Sequence, residues 1–216
     1  MMDSYRHKGL RARLIAEIQG KGITNERVLQ AMDTIPRHLF LDSAFAEQAY
    51  MDKALPIGAA QTISQPYTVA YQTMLLDPQP TDTILEVGTG SGYQAAVLSL
   101  LCKKIYTIER QKSLYEYTAP LLIKLGYVSI RTLFGDGFLG STRFAPFDKI
   151  IVTAGAEEVP PALKDQLKIG GQLVIPAGPS QDKRMLRLTK LSEDSYDTET
   201  FEIFRFVPLL KGVTTV

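Results

Sequence analysis

The sequence predicts an α/β fold: a doubly wound, mostly parallel sheet with an N-terminal helical lobe and a C-terminal antiparallel edge hairpin. Three observations carry that prediction. From residue 82 onward, short runs of Ile, Leu and Val alternate with helix-patterned segments, as strands covered on both faces do. Residues 84–92, ILEVGTGSG, drive an apolar strand end (Ile84, Leu85, Val87) into three glycines at alternate positions, Gly88, Gly90 and Gly92. Such a run lets the chain turn sharply with its backbone close to a ligand. The tail segments RMLRLTKL and TETFEIFRFV alternate with the period of a half-exposed hairpin.

Each element follows in order. Residues 5–20 place Leu10, Leu14, Ile15 and Ile18 at helical spacing, and residues 25–35 do so with Val28, Leu29, Met32 and Ile35 before Pro36. Residues 50–66, YMDKALPIGAAQTISQP, lack sustained periodicity and read as a loop, with Pro66 placed to begin the helix VAYQTMLL. The strand TILEV comes next, then a helix opened by Ser91, then KIYTI ending at Glu109. A helix from about Gln111 to Leu125 can be closed by Gly126. VSIRTL, the GDG at 135–137, DKIIVT, a helix starting at Pro160 and Pro161, and QLVIP complete the alternation.

Composition narrows the function. A chain of 216 residues suits one domain with a full core. Lys plus Arg total 24 against 23 Asp plus Glu, leaving no excess field for nucleic acid phosphates or a lipid surface, so neither partner is expected. No apolar stretch approaches the roughly 18 residues of a membrane span, and a cytoplasmic monomer is expected. The single cysteine, Cys102, excludes an intramolecular disulfide and reads as a core thiol. No metal site is expected, and His7 and His38 receive no role.

In a sheet of this kind, ligands bind at the carboxyl ends of the strands near the topological switch point. Gly88 to Ser91 follow the first strand, Glu109 ends the second, Asp136 and Gly137 follow the third, and Thr153 to Ala156 follow the fourth. These ends make one crevice. The helix amides after Ser91 suit a carboxylate or phosphate, and Glu109 is placed to accept hydrogen bonds from a ribose. A dinucleotide fingerprint needs its third glycine at position 93, where the chain has Tyr93. A glycine loop preceded by Glu86 and followed by an acidic strand end instead resembles class I S-adenosylmethionine-dependent methyltransferases.

A sharper likeness lies at residues 55–70, LPIGAAQTISQPYTVA, which resembles the protein-L-isoaspartate O-methyltransferases, whose pre-core loop carries a Thr-Ile-Ser-x-Pro element. It continues through PRHLF at 36–40, LEVGTGSGYQAAVL, GDG, the run APFDKIIVTAGAEEVPPALKDQLKIGGQLVIPAG, and RFVPLLKG, in the family's order. Ala60 departs from the usual glycine, and Ala59 is smaller than the common aromatic. The resemblance implies a Rossmann-like methyltransferase fold and S-adenosylmethionine as cofactor, with Gln61, Thr62, Ile63 and Ser64 closing over it. It implies adenosyl contacts from Glu109, Asp136 and Gly137, an active-site position at Ser64, and peptide contacts from the segment Val207, Pro208 and Leu209. With Thr62 and Ser64 also toward substrate, and with Glu86, Gly88, Gly90, Ser91 and Gly92 around the cofactor, the expected site is complete. One domain over residues 1–216 is expected: 1–80 as helical lobe and active-site loop, 81–180 as cofactor-binding core, and 181–216 as edge strands.

The implied reaction moves the sulfonium methyl group onto the free main-chain carboxylate of an isoaspartyl residue in a damaged protein or peptide. The resulting ester collapses to a succinimide that reopens partly as normal aspartate. A main-chain carboxyl has a reference pKa of roughly 3.3 to 3.7, so the nucleophile is already ionised at neutral pH and needs no base. An anion and a cation become two neutral products, so neutral hydroxyls from Ser64 and Thr62 hold the carboxylate better than an arginine would. Read alone, Ser64 serves equally well at a helix start, Asp136 as a turn residue, and Thr153 to Ala156 as small residues for helix packing. A nucleobase methyltransferase is the nearest rival, but TAGA stands where an amino-methylating enzyme carries Asn or Asp-Pro-Pro-aromatic, and Cys102 sits on the wrong segment for carbon methylation. A catalytically silent module that recognises isoaspartyl proteins is the rival from another class.

Overall fold

A computed structural model describes residues 3–215. Helices α1 (Tyr5–Gly20) and α2 (Glu26–Thr34) form the N-terminal lobe, capped by Ser4 and Asn25 side chains. The segment expected to be a loop contains a hairpin, β1 (Leu55–Gly58) and β2 (Gln61–Ile63), paired antiparallel with Leu55 opposite Ile63. Its turn runs through Ala59 and Ala60, both at positive φ (47° and 54°). Glycine or asparagine announces such a turn in a sequence, and alanine does not. Pro66 does begin α3 (Pro66–Leu76), as expected.

The core alternates β3 (Thr83–Val87), α4 (Tyr93–Ser99), β4 (Lys104–Glu109), α5 (Lys112–Lys124), β5 (Ile130–Phe134), β6 (Phe147–Val152), α6 (Pro161–Asp165) and β7 (Leu167–Ala177). Strands β8 (Asp182–Lys190) and β9 (Tyr196–Arg205) complete one seven-stranded sheet in the order β5-β4-β3-β6-β7-β8-β9. Neighbours from β5 to β7 pair parallel, and β8 and β9 add antiparallel at the edge. The doubly wound sheet with a helical lobe and an edge hairpin is therefore the observed architecture.

Strand periodicity decides which side chains go where. Ile84, Ile105, Ile151 and Val174 face the side covered by α2, α3 and α4, whereas Leu85, Val87, Ile150, Val152 and Ile175 face the side covered by α6. The chain leaves β3 toward β4 on one flank and takes up β6 on the other, so the switch point lies between β3 and β6. α4 starts two residues later than expected: Gly92 is its N-cap in a left-handed conformation (φ 84°), and Ser91 belongs to the loop, where its Oγ accepts the Tyr93 amide at 3.3 Å. Cys102 is buried, and burial pushes its thiol up to about 12, as a core thiol requires. No helix among the described residues is long and apolar enough to cross a membrane.

Candidate active site

One cavity opens at the carboxyl ends of β3, β4 and β6. Its wall includes Gln61 to Ser64, Glu86 to Ser91, Glu109, Gly137, Thr153, and the tail residues Val207 to Leu210. The glycine loop is held by side chains reaching in from three directions. Glu109, 4% exposed at the tip of β4, accepts the Gly90 amide with Oε2 and the Gln111 amide with Oε1, each at 2.8 Å. Thr118 of α5 donates to the Gly90 carbonyl at 2.7 Å, and Thr153 donates to the Gly88 carbonyl at 2.8 Å. The Thr89 and Thr107 hydroxyls pair at 2.7 Å beneath the loop. At Gly88 the backbone has φ 101°, and a Cβ would stand 2.5 Å from Thr153 Oγ1, so only glycine fits.

Three acceptor atoms on this wall lack a well-placed donor. They are both carboxylate oxygens of Glu86, which is fully buried and whose neighbour Thr107 pairs its hydroxyl with Thr89, and Gln94 Oε1. The Gln94 orientation is fixed: Thr73 spends its hydroxyl proton on the Val69 carbonyl at 2.7 Å, so it can only accept from Gln94 Nε2 at 2.9 Å. Burial pushes the Glu86 carboxyl up to about 8, with the Thr107 hydroxyl working against the shift and the Glu109 charge adding to it. Buried acceptors without donors, beside a single arginine (Arg110), fit a ligand that brings its own cationic groups.

The opposite wall is made of the hairpin and the tail. Gln61 to Ser64 come from β2 and the turn into α3, with Ile63 buried (3% exposed) and Thr62 exposed. The tail pairs with the loop after β6: Gly155 donates its amide to the Val207 carbonyl, and the Leu209 amide returns a bond to the Gly155 carbonyl, both at 2.8 Å. Farther on, the Thr214 amide bonds the Arg110 carbonyl, and the Lys112 amide bonds the Thr214 carbonyl, both at 2.9 Å. The tail thus spans the cavity from β6 to β4. Gly155 is small for this reason: a Cβ there would meet Lys183 Cγ at 3.0 Å and Phe206 Cβ at 3.3 Å.

Two expected cofactor residues lie off the cavity wall. Gly92 packs against α5, where a Cβ would stand 2.9 Å from Thr118 Cγ2, so its smallness serves the approach of two helices. Asp136 spends both oxygens on backbone, accepting the Phe138 amide at 2.9 Å and the Gly212 amide at 2.7 Å, which joins the turn after β5 to the tail. The remaining expected residues, Gln61, Thr62, Ile63, Ser64, Glu86, Gly88, Gly90, Ser91, Glu109, Gly137, Val207, Pro208 and Leu209, line the cavity. Sequence reasoning placed Thr153 at the crevice without its grip on Gly88 and missed Gln94, Arg110 and Thr118, whose side-chain contacts cross between elements and leave no local pattern. Neither histidine lines the cavity. Both sit in the N-terminal lobe, where ligand atoms of Asp3, His7 and His38 come within 4.8 Å of one another, but Arg11 occupies both Asp3 oxygens at 3.1 Å.

Comparison with known proteins agrees with this geometry. Residues 10–214 match the family model described as Protein-L-isoaspartate(D-aspartate) O-methyltransferase. Proteins named protein-L-isoaspartate O-methyltransferase from Christiangramia forsetii and Flavobacterium psychrophilum are 55% and 53% identical, each over 98% of this chain and 99% of their own length. A solved protein-L-isoaspartate O-methyltransferase superposes with a TM-score of 0.83 at 27% identity, covering 92% of this chain and 65% of its own. A Plasmodium falciparum structure, a putative member in complex with S-adenosyl-L-homocysteine, shares the fold with a TM-score of 0.81 at 22% identity over 94% of this chain and 99% of its own.

Proposed function

The chain belongs to the protein-L-isoaspartate(D-aspartate) O-methyltransferase family, and from that premise we propose that its strand-end cavity transfers a methyl group from S-adenosylmethionine to the free main-chain carboxylate of isoaspartyl residues. The observation that carries this reading is the buried, unpartnered Glu86 carboxyl on the same wall as the glycine loop, facing a hairpin that presents Thr62 and Ser64. When bound, the cofactor supplies an electrophilic methyl on a sulfonium.

The residues then divide the work. Glu86 and Gln94 Oε1 offer acceptors to the cationic amino-acid end of the cofactor. Glu109 keeps lone pairs beyond its two amide bonds, which suits a ribose hydroxyl. Gly137 leaves room beside Val87, because a Cβ there would collide with the valine methyl. Thr62 and Ser64 hold the substrate carboxylate with neutral donors, and the paired tail at Val207, Pro208 and Leu209 receives the polypeptide. Alignment of the two reactants is worth up to roughly 7–11 kcal/mol, which a site without a general base can use in full. The main-chain amide nitrogen that follows the residue then displaces methanol from the methyl ester to close a succinimide without further help, and water opens that ring partly to normal aspartate, so repeated cycles repair the protein. On this reading residues 1–80 supply the lobe and active-site loop, 81–180 the cofactor-binding core and 181–216 the edge, and the enzyme works as a monomer in the cytoplasm.

The test presents paired peptides, identical except for aspartyl or isoaspartyl linkage, with methyl-labelled cofactor. Base-labile label on the isoaspartyl peptide alone is expected; equal labelling of both, or faster transfer to RNA, would overturn the proposal.

A further inference from the structure

We propose that Asp52 is a positioning residue for methyl transfer, holding Ser64 toward the cavity from outside the active site; the inference rests on the role given to Ser64 above. Asp52 lies outside every helix and strand, yet its side chain is only 3% exposed. Its Oδ1 accepts the Tyr67 amide at 2.7 Å, and its Oδ2 accepts Gln65 Nε2 at 3.0 Å and Lys21 Nζ at 2.7 Å. Pro66 has no amide hydrogen, so Tyr67 presents the first free N–H of α3, and Gln65 at the N-cap makes no side-chain cap of its own. Asp52 therefore caps α3 from a remote segment.

The consequence for Ser64 is geometric. On one side Ile63 is buried and paired with Leu55 across the hairpin. On the other, Gln65 is tied through its side chain to Asp52. A single residue between two anchors has few backbone conformations open to it, so the Ser64 hydroxyl takes its direction from them. The anchor is itself braced. Arg37, fully buried, donates Nε to the Ala49 carbonyl at 2.9 Å and Nη2 to the Lys53 carbonyl at 3.4 Å, bracketing Asp52, and its guanidinium lies 5.1 Å from the ring centroid of Tyr93 on the cavity wall. A helix cap alone would need only the Tyr67 bond. The bond to Gln65 points into the loop that bears Ser64.

The experiment is a double-mutant cycle on the full chain, reading kcat and KM for an isoaspartyl peptide beside thermal unfolding and S-adenosylhomocysteine binding. Asp52→Ala is expected to lower kcat on the order of 10²-fold, as an ångström-scale misplacement does, while binding of S-adenosylhomocysteine stays within a few fold of the parent. Asp52→Asn keeps an acceptor for the Tyr67 amide and recovers part of the loss. Gln65→Ala leaves the cap in place, so it is expected to lower kcat roughly tenfold with little change in unfolding temperature, and it serves if Asp52→Ala does not fold. In a Ser64→Ala background, Asp52→Ala should cost only a few fold more, because the hydroxyl it positions is gone. The proposal is overturned if Asp52→Ala and Gln65→Ala turn over like the parent while Ser64→Ala is impaired, or if the full Asp52 loss persists without Ser64. Parent-like turnover by Ser64→Ala would instead remove the reading on which it stands.

Discussion

The glycine-loop wall is gripped by side chains reaching across from other elements, whereas the facing wall is held by Leu55 and Ile63 buried under the 55–63 hairpin and by backbone bonds along the 206–214 tail. Glu109, Thr107, Thr118 and Thr153 grip the loop from β4, α5 and the end of β6. The tail rests on strand-like backbone pairs at Gly155–Val207 and Thr214–Arg110, and the hairpin, closed on itself at Leu55–Ile63, rests on those two side chains in the core. The difference teaches where rigidity is needed. A cofactor of constant shape rewards a fixed cradle, while polypeptides of varied sequence are better received by main-chain segments that impose no side chain of their own. Substitutions on the first wall should therefore change cofactor affinity and stability together, and those on the second should change peptide kinetics while leaving cofactor affinity as it is.

Gly88→Ala should break the first wall most severely. The substitution puts a side chain at φ 101° and 2.5 Å from Thr153 Oγ1. Backbone strain of roughly 1–3 kcal/mol adds to a similar overpacking cost of roughly 1–3 kcal/mol. Both the unfolding temperature and S-adenosylhomocysteine affinity should fall, read by calorimetry; a fall in peptide KM behaviour alone would erase the contrast between the walls. Glu109→Ala comes next, because it strands the Gly90 and Gln111 amides as well as removing a ribose acceptor. Cofactor affinity should weaken by roughly 1.5–3 kcal/mol. Unchanged affinity would displace Glu109 from the site.

A pH titration sharpens the same wall. The Glu86 carboxyl, pushed up by burial to about 8 in the folded chain from an ordinary 4.5, holds its proton more tightly there than in the unfolded chain. Its burden on stability is thus absent below about 4.5, grows as pH rises, and is complete above about 8. A cation bound beside it favours the ionised form, so binding releases a proton below about 8, and affinity should climb by up to about tenfold per pH unit before levelling. Calorimetry in buffers of different ionisation enthalpy counts that proton, and Glu86→Gln should flatten the slope. A proton count of zero in the parent would show that no cation reaches Glu86.

How much of this could be read from the chain differs between the walls in the same way. TILEV, KIYTI and DKIIVT announce buried strands because their periodicity is local, and the glycine run announces a turn. The crevice and the strand-end part of its lining followed from those two facts, while Gln61 to Ser64 and Val207 to Leu209 followed only from the family resemblance. Thr118 looks like any other threonine, since what it grips lies 28 residues away, and Thr153 shows its strand-end place but not its grip on Gly88, 65 residues back. Gly92 and Asp136 lie off the cavity wall, and their sequence does not say so, because a glycine or an aspartate beside a strand end has the same local signature whether it faces a ligand, a helix or the tail. The hairpin was illegible because its turn uses alanines at positive φ.

Gly155→Ala tests the second wall. Its Cβ would press on Lys183 Cγ at 3.0 Å, and Lys183 can yield, but the paired backbone of Val207 and Leu209 shifts with it. KM for peptide should rise a few fold, with cofactor affinity unchanged and stability lowered by roughly 1 kcal/mol. A loss of cofactor affinity as large as that in Glu109→Ala would mean the tail belongs to the first wall.

The smallest expected effect is at the hairpin turn. Ala60 sits at φ 54°, a left-handed conformation that costs an alanine roughly 1 kcal/mol and a glycine nothing. Ala60→Gly would relieve that strain but gain roughly 0.4–1 kcal/mol of unfolded-chain entropy, so the two terms nearly cancel. The unfolding temperature should therefore move by no more than a few degrees. What changes is local: glycine widens the range of turns open between β1 and β2, loosening the hairpin that carries Thr62 toward the peptide. Peptide KM should shift about twofold with kcat and cofactor affinity constant, because Ser64 is fixed from the far side of Ile63. A parallel loss in kcat would show that the turn, and not the anchors flanking Ser64, sets the aim of that hydroxyl.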